Sequence, residues 1–243
     1  GDWLTASRVT TKHLPLERSV SARPVTSALP AHRGKPAPKL RDADLERTLS
    51  QGASQLGVEV SSAQANLLLR YLALIQKWNK VYNLTALREP AGMLTHHLLD
   101  SLAIVAPLRR QTRGESGRLL DVGAGAGLPG VVIAVCCPEI DVTCVDAVAK
   151  KAAFIQQAAV ELRLPNLHGV HGRIESLTGS YDVVCSRAFA SLVDFTTWSG
   201  GVLAPNGIWL AMKGKRPEDE VAALPKTVTV FHLEQLGVPG LDA

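Results

Sequence analysis

The stretch Leu120-Asp121-Val122-Gly123-Ala124-Gly125-Ala126-Gly127-Leu128-Pro129-Gly130 decides the fold of this chain. A short apolar run leads into it and a helical pattern follows it, which places the glycines in a turn between a strand and a helix. From Gly125 the sequence satisfies G-x-G-x-x-G, the pattern of dinucleotide-binding loops, although this match alone has low specificity. We therefore expect a ligand-binding loop at the end of a strand.

Short apolar runs and helical patterns alternate from Arg118 onward. We predict strands at 119–122, 142–146, 167–171, 181–186, 208–212 and 228–233, and helices at 129–137, 148–164 and 192–200. This alternation is typical of a parallel sheet with helices on its faces and crossovers of one hand. Ligands of such sheets bind beyond the carboxyl ends of the strands, where the glycine loop begins.

The region before this alternation has the pattern of helices. Ser61-x-x-Gln64 is a capping box that begins a long amphipathic helix, and a further helix is predicted to begin at Pro90. We expect an amino-terminal helical subdomain over residues 41–112, followed by the ligand-binding domain over residues 113–243.

Residues 1–40 contain five prolines and show no period. They hold seven Lys/Arg against two acids, a net charge of +5, so residues 41–243 carry −1 of the total of +4. The basic balance therefore belongs to this segment and does not by itself indicate that the folded body binds nucleic acid. We predict a basic, flexible tail, either a solvated extension or an arm that touches nucleic acid.

The composition of the 243 residues is that of a globular protein, with 46% hydrophobic and 20% charged residues, which excludes wholesale disorder. No apolar run approaches the roughly 20 residues that span a bilayer, and no secretory pattern opens the chain. We expect a cytoplasmic protein without a membrane partner. Four cysteines lie in apolar runs without C-x-x-C spacing and are predicted to be buried thiols, and no metal site is predicted (Cys136, Cys137, Cys144, Cys185).

Asp121, two residues before the first glycine, distinguishes two classes of cofactor. A dinucleotide places its pyrophosphate against such a loop, and a carboxylate about 6 Å away would oppose it by roughly 3 kcal/mol at an effective dielectric of about 20. S-adenosylmethionine (SAM) instead carries a cationic sulfonium and an ammonium group, which an acid favours. Asp146 ends the next strand, where a carboxylate can accept both ribose hydroxyls in either class. We predict a SAM site, with a dinucleotide site or a plain tight turn as the alternatives.

Five stretches are informative in combination: 78–85 (WNKVYNLT), 97–102 (HLLDSL), the loop 121–130, 186–191 (SRAFAS) and 211–214 (AMKG). Together they resemble the small-subunit ribosomal RNA guanine-N7 methyltransferase family, also called glucose-inhibited division protein B, and the likeness runs from about residue 45 to Ala243. The resemblance implies a class I SAM-dependent methyltransferase, with a Rossmann-like, mostly parallel, doubly wound sheet and an amino-terminal helical subdomain. Its implied partner is 16S ribosomal RNA or the small ribosomal subunit.

The resemblance also implies two departures from the family pattern. The basic tail is not part of that pattern. The family continues past a Val-Pro-Gly-Leu-Asp segment into one more strand, which this chain would lack after Ala243. We therefore expect a sheet that has a gap or an open edge, or that closes differently.

The implied site combines residues carried over from the family with those argued above. The predicted cofactor-binding residues are Asp121, Gly123, Gly125, Gly127, Leu128, Asp146, Ile174, Glu175 and Arg187, and the predicted catalytic residues are Arg187, Lys213 and Asn83. Structural alternatives remain for several polar positions. Asn83 would then belong to the turn before the next helix, Glu175 would be a solvated loop acid, and His97 and Asp100 would be a satisfied polar pair.

The chemistry implied by the resemblance needs no general base, because guanine N7 carries an available lone pair. We expect in-line methyl transfer by alignment and exclusion of water, with S-adenosylhomocysteine as product. The base must be single-stranded or flipped out to be reached. We expect a monomer. The alternatives are a methyltransferase of another nucleic acid or of a small molecule, and an RNA-binding assembly factor.

Overall fold

The computed structural model describes residues 2–8, 42–187, 189, 191–213, 218–235 and 238–239. Its α-helices are α1 (Asp42–Gln55), α2 (Ser62–Tyr82), α3 (Pro90–Met93), α4 (Asp100–Leu102), α5 (Val105–Thr112), α6 (Gly130–Cys136), α7 (Ala149–Glu161), α8 (Leu192–Ser199) and α9 (Glu218–Ala222). Its strands are β1 (Asp2–Arg8), β2 (Gly117–Val122), β3 (Ile140–Asp146), β4 (Leu167–His171), β5 (Tyr181–Ser186), β6 (Leu203–Lys213) and β7 (Val228–Gln235). A π-helical turn spans Leu94–Leu99, and a 3-10 turn spans Ile174–Ser176.

The strands form a single sheet in the order β4-β3-β2-β5-β6-β1-β7. Strands β2 to β6 pair in parallel, with Asp121 of β2 opposite Cys144 of β3 and Cys185 of β5. The strand order reverses between β2 and β5, and a cleft opens at such a reversal beyond the carboxyl ends of the strands. The predicted fold class is confirmed, and each strand predicted after Arg118 is present.

Strand β1 corrects the prediction for the start of the chain. Residues 2–8 were expected to belong to a flexible tail, but they pair antiparallel with β6 on one side and β7 on the other. They occupy the place where β6 would otherwise expose a row of unpaired N–H and C=O groups. Strand β1 thus joins β6 and β7 into one sheet. The rest of the predicted tail, residues 9–40, lies outside the described residues.

Helix α2 begins at the predicted capping box. The Ser61 hydroxyl accepts the N–H of Gln64 at 3.2 Å, and the Gln64 side chain accepts the N–H of Ser61 at 2.9 Å. The helix ends at Asn83, whose backbone is left-handed with φ of 50°. The Gln64 amide also donates to main-chain carbonyls at the end of α6, so the capping residue fixes α2 against the helix that follows the glycine loop.

The core has two parts on opposite faces of the sheet. The larger part packs α6, α7 and the amino-terminal helices on one face, and the smaller part packs α8 on the other. The four cysteines are buried free thiols, as predicted. The stretch Pro90–Thr112 is long and apolar enough in composition to cross a bilayer, but 67% of its most apolar window is buried inside the protein, as expected for a core segment.

Candidate active site

The glycine loop presents an open outer surface at its first two glycines. Gly123 and Gly125 have φ of 67° and 62°, and a Cβ built at either position would meet no atom within 4 Å. The loop then turns into the core. Gly127 and Leu128 are buried, and a Cβ at Gly127 would lie 2.5 Å from Val131 Cγ2. Among the predicted contacts from Gly123 to Leu128, Gly123 and Gly125 are therefore accessible, whereas Gly127 and Leu128 are buried and support the turn from below.

Most main-chain N–H groups of the loop donate to acceptors within the protein. Six of them donate to protein acceptors: Gly123 and Ala124 to Val145 O, Gly125 to Asp146 Oδ2, Gly127 and Leu128 to Ala124 O, and Gly130 to Asp121 Oδ2. Pro129 has no N–H to offer. A pyrophosphate needs loop N–H groups that point toward it, so this arrangement disfavours the dinucleotide alternative. It suits a ligand that brings cationic and hydroxyl donors, as SAM does.

Asp121 lies beneath the loop and is fully buried. Its Oδ2 accepts the Gly130 N–H at 2.8 Å, and its Oδ1 has no hydrogen-bond partner among the residues that the structure describes. Burial raises its pKa to about 7. A Cβ at Gly130 would lie 2.2 Å from Cys144 Sγ and 2.9 Å from Asp121 Oδ2, so only glycine fits there. The prediction that Asp121 takes part in cofactor binding stays a prediction. The side chain is directed to the α6 face of the sheet, where it fastens the start of α6 to β2.

Asp146, at the end of β3, connects the loop to α7. Its Oδ2 accepts the Gly125 N–H at 2.8 Å and its Oδ1 accepts the Val148 N–H at 2.9 Å. Each carboxylate oxygen has a second lone pair, so both remain able to accept a hydroxyl of a ligand. The carboxylate is thus held rigidly next to the open part of the loop, and its role in binding ribose stays a prediction.

The 3-10 turn after β4 brings Ile174 and Glu175 to the same edge of the sheet. Ile174 is buried and Glu175 is exposed, and the turn is joined to β3 because Gly172 N–H donates to Asp146 O at 3.1 Å. Three neighbouring strands, β2, β3 and β4, therefore bring these residues to one edge of the sheet (Gly123, Gly125, Asp146 and the Ile174–Glu175 turn). Two acids that can accept hydrogen bonds lie here next to open glycines. This combination fits SAM, which brings hydroxyl and cationic donors.

Arg187 follows β5 and is engaged by the helical part of the chain. Its Nη1 donates to His96 O at 3.0 Å and to Asp100 Oδ2 at 3.2 Å, and the two ionic side chains are 24% and 14% exposed. Burial raises the pKa of Asp100, and Arg187 lowers it. Arg187 thereby holds the π-helical turn and α4 against the end of β5.

His97 and Asp100 are each paired, but not with each other as the structural alternative supposed. His97 Nε2 lies 2.9 Å from Thr85 Oγ1, whereas Asp100 pairs with Arg187. Burial and the nearby Arg187 charge lower the pKa of His97 to about 4, so the ring is neutral at physiological pH. His97 therefore supports the 83–85 turn instead of carrying charge.

Lys213 and Asn83 have partners within the protein. Lys213 Nζ lies 2.9 Å from Glu220 Oε1 and donates to Phe189 O at 3.3 Å, and its side chain is 14% exposed. A phosphate contact by Lys213 is not supported by this arrangement. Asn83 is exposed at the end of α2, and its Oδ1 accepts from Arg88 Nη2 at 2.7 Å, which matches the structural alternative of a turn residue.

Tyr71 supports the site and was not predicted as a functional residue. It is fully buried on α2, and its hydroxyl donates to Ala126 O in the glycine loop at 2.6 Å. The signal in the sequence is a phenol on the apolar face of a helix, because a buried Tyr hydroxyl usually has a hydrogen-bond partner. Over the part of the chain that the structure describes, no group of three or more His, Cys, Asp or Glu is placed to hold a metal ion.

Comparison with known proteins agrees with this geometry. The family described as "rRNA small subunit methyltransferase G" matches residues 64–243, which include the glycine loop, Arg187 and Lys213. The chain is 66% identical over 207 residues to "Ribosomal RNA small subunit methyltransferase G" of Acidovorax ebreus (strain TPSY), covering 82% of this chain and 92% of that protein. It is 62% identical over 204 residues to the protein of the same name from Polaromonas naphthalenivorans (strain CJ2), with coverage of 82% and 92%.

Among solved structures, coclaurine N-methyltransferase bound to N-methylheliamine and SAH aligns with 70% of this chain and 57% of its own, at 13% identity and a TM-score of 0.41. The family of this chain is shown by its sequence relatives, and this partial structural likeness carries no weight. The chain belongs to the rRNA small subunit methyltransferase G family and is a SAM-dependent methyltransferase.

Proposed function

We propose that this chain methylates N7 of a guanine in 16S ribosomal RNA of the small subunit. The observation that carries the proposal is the family match, which extends through the loop, Asp146, the Ile174–Glu175 turn and Arg187. The relatives at 66% and 62% identity are named for small-subunit ribosomal RNA. The inward-directed amides of the loop support the cofactor half of the reaction.

When bound, SAM supplies an electrophilic methyl group on sulfur, and the N7 lone pair displaces that sulfur in line, so that the N–C bond forms as the C–S bond breaks. N7 has no proton to lose, so the protein acts by alignment and exclusion of water. The titratable groups around the loop with strongly altered pKa are all buried, which agrees with a reaction that uses no general base (Tyr71, His97, Asp121, Cys144 and Cys185).

We assign the cofactor to the edge formed by β2, β3 and β4. Gly123 and Gly125 let the main chain approach the aminoacyl part of the cofactor without intervening side chains. Asp146 accepts the ribose hydroxyls. The Ile174 main chain and the Glu175 carboxylate face the adenine.

Arg187 and Lys213 are proposed as positioning residues. Arg187 fixes the π-helical turn beside the cleft through His96 O and Asp100. Lys213 fixes Phe189 to the end of β6. Asn83 remains the proposed substrate contact among the predicted catalytic residues, since it is exposed beside the aromatic end of α2. We infer that the chain acts as a monomer in the cytoplasm, without a membrane partner.

Transfer of a tritiated methyl group from SAM to purified RNA tests the function. The chain should label 16S RNA or small subunits and leave 23S RNA unlabelled, and the labelled nucleoside should be 7-methylguanosine. Label in 23S RNA alone, or in a different nucleoside, would contradict the proposed substrate. SAM binding with no transfer to any RNA or subunit would favour the assembly-factor alternative.

A further inference from the structure

The ion pair between Arg187 and Asp100 lies beside the point where the strand order of the sheet reverses. The hydroxyl of Ser186, the last residue of β5, donates to Val122 O at the end of β2 at 3.0 Å. The parallel register of β2 and β5, continued past this bond, sets Arg187 level with Gly123, the first open glycine of the loop. The proposed cofactor edge lies on one side of this reversal, and the ion pair lies on the other.

The pair has hydrogen-bonding atoms that the protein does not use. Arg187 donates twice through Nη1, to His96 O and to Asp100 Oδ2. Its Nε and Nη2 N–H groups, and Asp100 Oδ1, have no hydrogen-bond partner among the residues that the structure describes. The buried side-chain atoms without a partner in this part of the chain belong to other residues (His97 Nδ1, Ser101 Oγ and Asp121 Oδ1). The unused atoms of the pair are therefore open to a ligand, in agreement with side chains that are 24% and 14% exposed.

A guanidinium group beside a carboxylate is complementary to one edge of guanine. The Watson–Crick edge of guanine presents the O6 acceptor next to two donors, the N1–H and the N2 amino group. Arginine has only donors and an ionised carboxylate has only acceptors, so the pair can satisfy all three groups. Adenine presents an amino group in place of O6 and a lone pair at N1, and both would face groups of the wrong kind. Recognition of this edge also leaves N7, on another edge of the purine, free to attack a methyl group.

We infer that Arg187 and Asp100 recognise the target guanine by its Watson–Crick edge, with Arg187 donating to O6 and the Asp100 carboxylate accepting from N1 and N2. This inference deepens the proposed function and rests on it. Enzymes that take a base out of a helix recognise it by hydrogen bonds to this edge. The Arg187 charge lowers the pKa of Asp121 beneath the loop, which agrees with a guanidinium group close to the cofactor loop.

Inosine in place of the target guanosine tests the inference, because inosine keeps O6, N1–H and N7 and lacks only the N2 amino group. The guanosine that the full chain methylates is located first. 16S RNA ligated from two transcripts, reconstituted into subunits if these are the substrate, then carries guanosine or inosine at that position. Wild-type kcat/KM should fall about 10- to 150-fold with inosine, the loss expected for a hydrogen bond to a charged group. Asp100→Ala should be slower with guanosine and lose this preference, with the two values within about threefold of each other. 2-Aminopurine, which lacks O6 and the N1 proton, should be methylated more slowly than inosine by the wild type, and equal or faster methylation would exclude the O6 contact.

Thr85→Val is the matched control, because it removes a hydrogen bond to His97 in the same helical part of the chain without touching the pair. It should keep the wild-type ratio of kcat/KM for guanosine to inosine. SAM affinity of Asp100→Ala, measured by calorimetry, should stay within about twofold of wild type and so show that the fold is intact.

Three results would overturn the inference and leave the proposed function standing. The wild type could methylate guanosine and inosine equally well, a measurement that needs no variant to fold. Asp100→Ala could keep the wild-type ratio, which would make Asp100 a structural residue only. A large loss of SAM affinity with an unchanged ratio would assign the pair to the cofactor. If the wild type transfers no methyl group to 16S RNA or to subunits, the proposed function fails and the inference fails with it.

Discussion

The substitution Asp146→Asn tests two roles of one carboxylate, which holds the glycine loop and is proposed to accept the ribose hydroxyls of SAM. The wild-type side chain accepts the Gly125 N–H with one oxygen and the Val148 N–H with the other, at 2.8 and 2.9 Å. Asparagine keeps one oxygen and presents an NH₂ group where the second acceptor was. One charge-assisted hydrogen bond is therefore removed, and a main-chain N–H faces another donor.

The expected losses of stability and of SAM affinity follow from the hydrogen bonds that the substitution removes. Loss of a hydrogen bond to a charged group costs about 1.5–3 kcal/mol. At about 2–4 °C per kcal/mol for a chain of this size, Tm should fall by about 3–12 °C. SAM affinity should fall separately, by about 10- to 150-fold, because the charged acceptor for the ribose hydroxyls is removed as well.

Thermal unfolding and calorimetry with SAM measure the two effects. The matched control is Asp141→Asn at the other end of β3, whose carboxylate pairs with His168 at 2.7 Å while both side chains are nearly half exposed. A surface pair of this kind contributes about 0–1 kcal/mol, so the control should lose little stability and no SAM affinity. An Asp146→Asn protein with wild-type SAM affinity would refute the ribose assignment, and one with wild-type Tm would refute the loop contact.

Three further substitutions test the support of the site. Gly130→Ala should cost at least about 1–3 kcal/mol in unfolding free energy, because its Cβ would overlap Cys144 Sγ. Cys144→Ala should restore part of that loss. A fully folded, equally stable Gly130→Ala protein would contradict the packing. The pKa of Asp121 is raised to about 7 in the folded state, so the folded chain holds this proton more tightly and stability falls as pH rises from about 4 to 7. Asp121→Asn should flatten that fall in denaturant titrations at pH 4.5, 6 and 8. An unchanged pH dependence would show that Asp121 does not cause the fall. Arg187→Ala should lower the unfolding free energy by about 1–3 kcal/mol and abolish methyl transfer, and adding Asp100→Asn should recover some stability; strictly additive losses would show that the two residues do not act as a pair.

Much of the sheet could be predicted because its signals are local. The capping box at Ser61, the apolar run before Asp121 and the strand at 167–171 each depend on neighbouring residues, and the structure confirms them. The cofactor edge followed from the same logic, since parallel strands bring their carboxyl ends together.

The remaining features depend on contacts between distant residues. Strand β1 could not be predicted from its own seven residues, because its place between β6 and β7 is set by backbone pairing with residues more than 200 positions away. The partners of Lys213 and Arg187 were missed for a related reason. A charged residue after a strand indicates the cleft, but whether its charge meets a ligand or a protein acid depends on which helix packs there.

The burial of Asp121 beneath the loop could not be predicted from the sequence. Its position before the glycines indicated an acid near the cofactor, but the direction of its side chain depends on how α6 crosses β2, and this crossing depends on the fit of Gly130 against Cys144. The electrostatic preference for a cationic ligand therefore comes from the loop amides, which are turned inward, and from Asp146 beside them.

Competitive calorimetry with SAM and NAD on the wild-type chain tests the central claim most directly. A loop whose N–H groups are directed inward should bind SAM with a stoichiometry of about one and show no heat of binding with NAD, before or after SAM is added. Binding of NAD that SAM displaces, or that displaces SAM, would show that the loop accepts a pyrophosphate and would contradict the account.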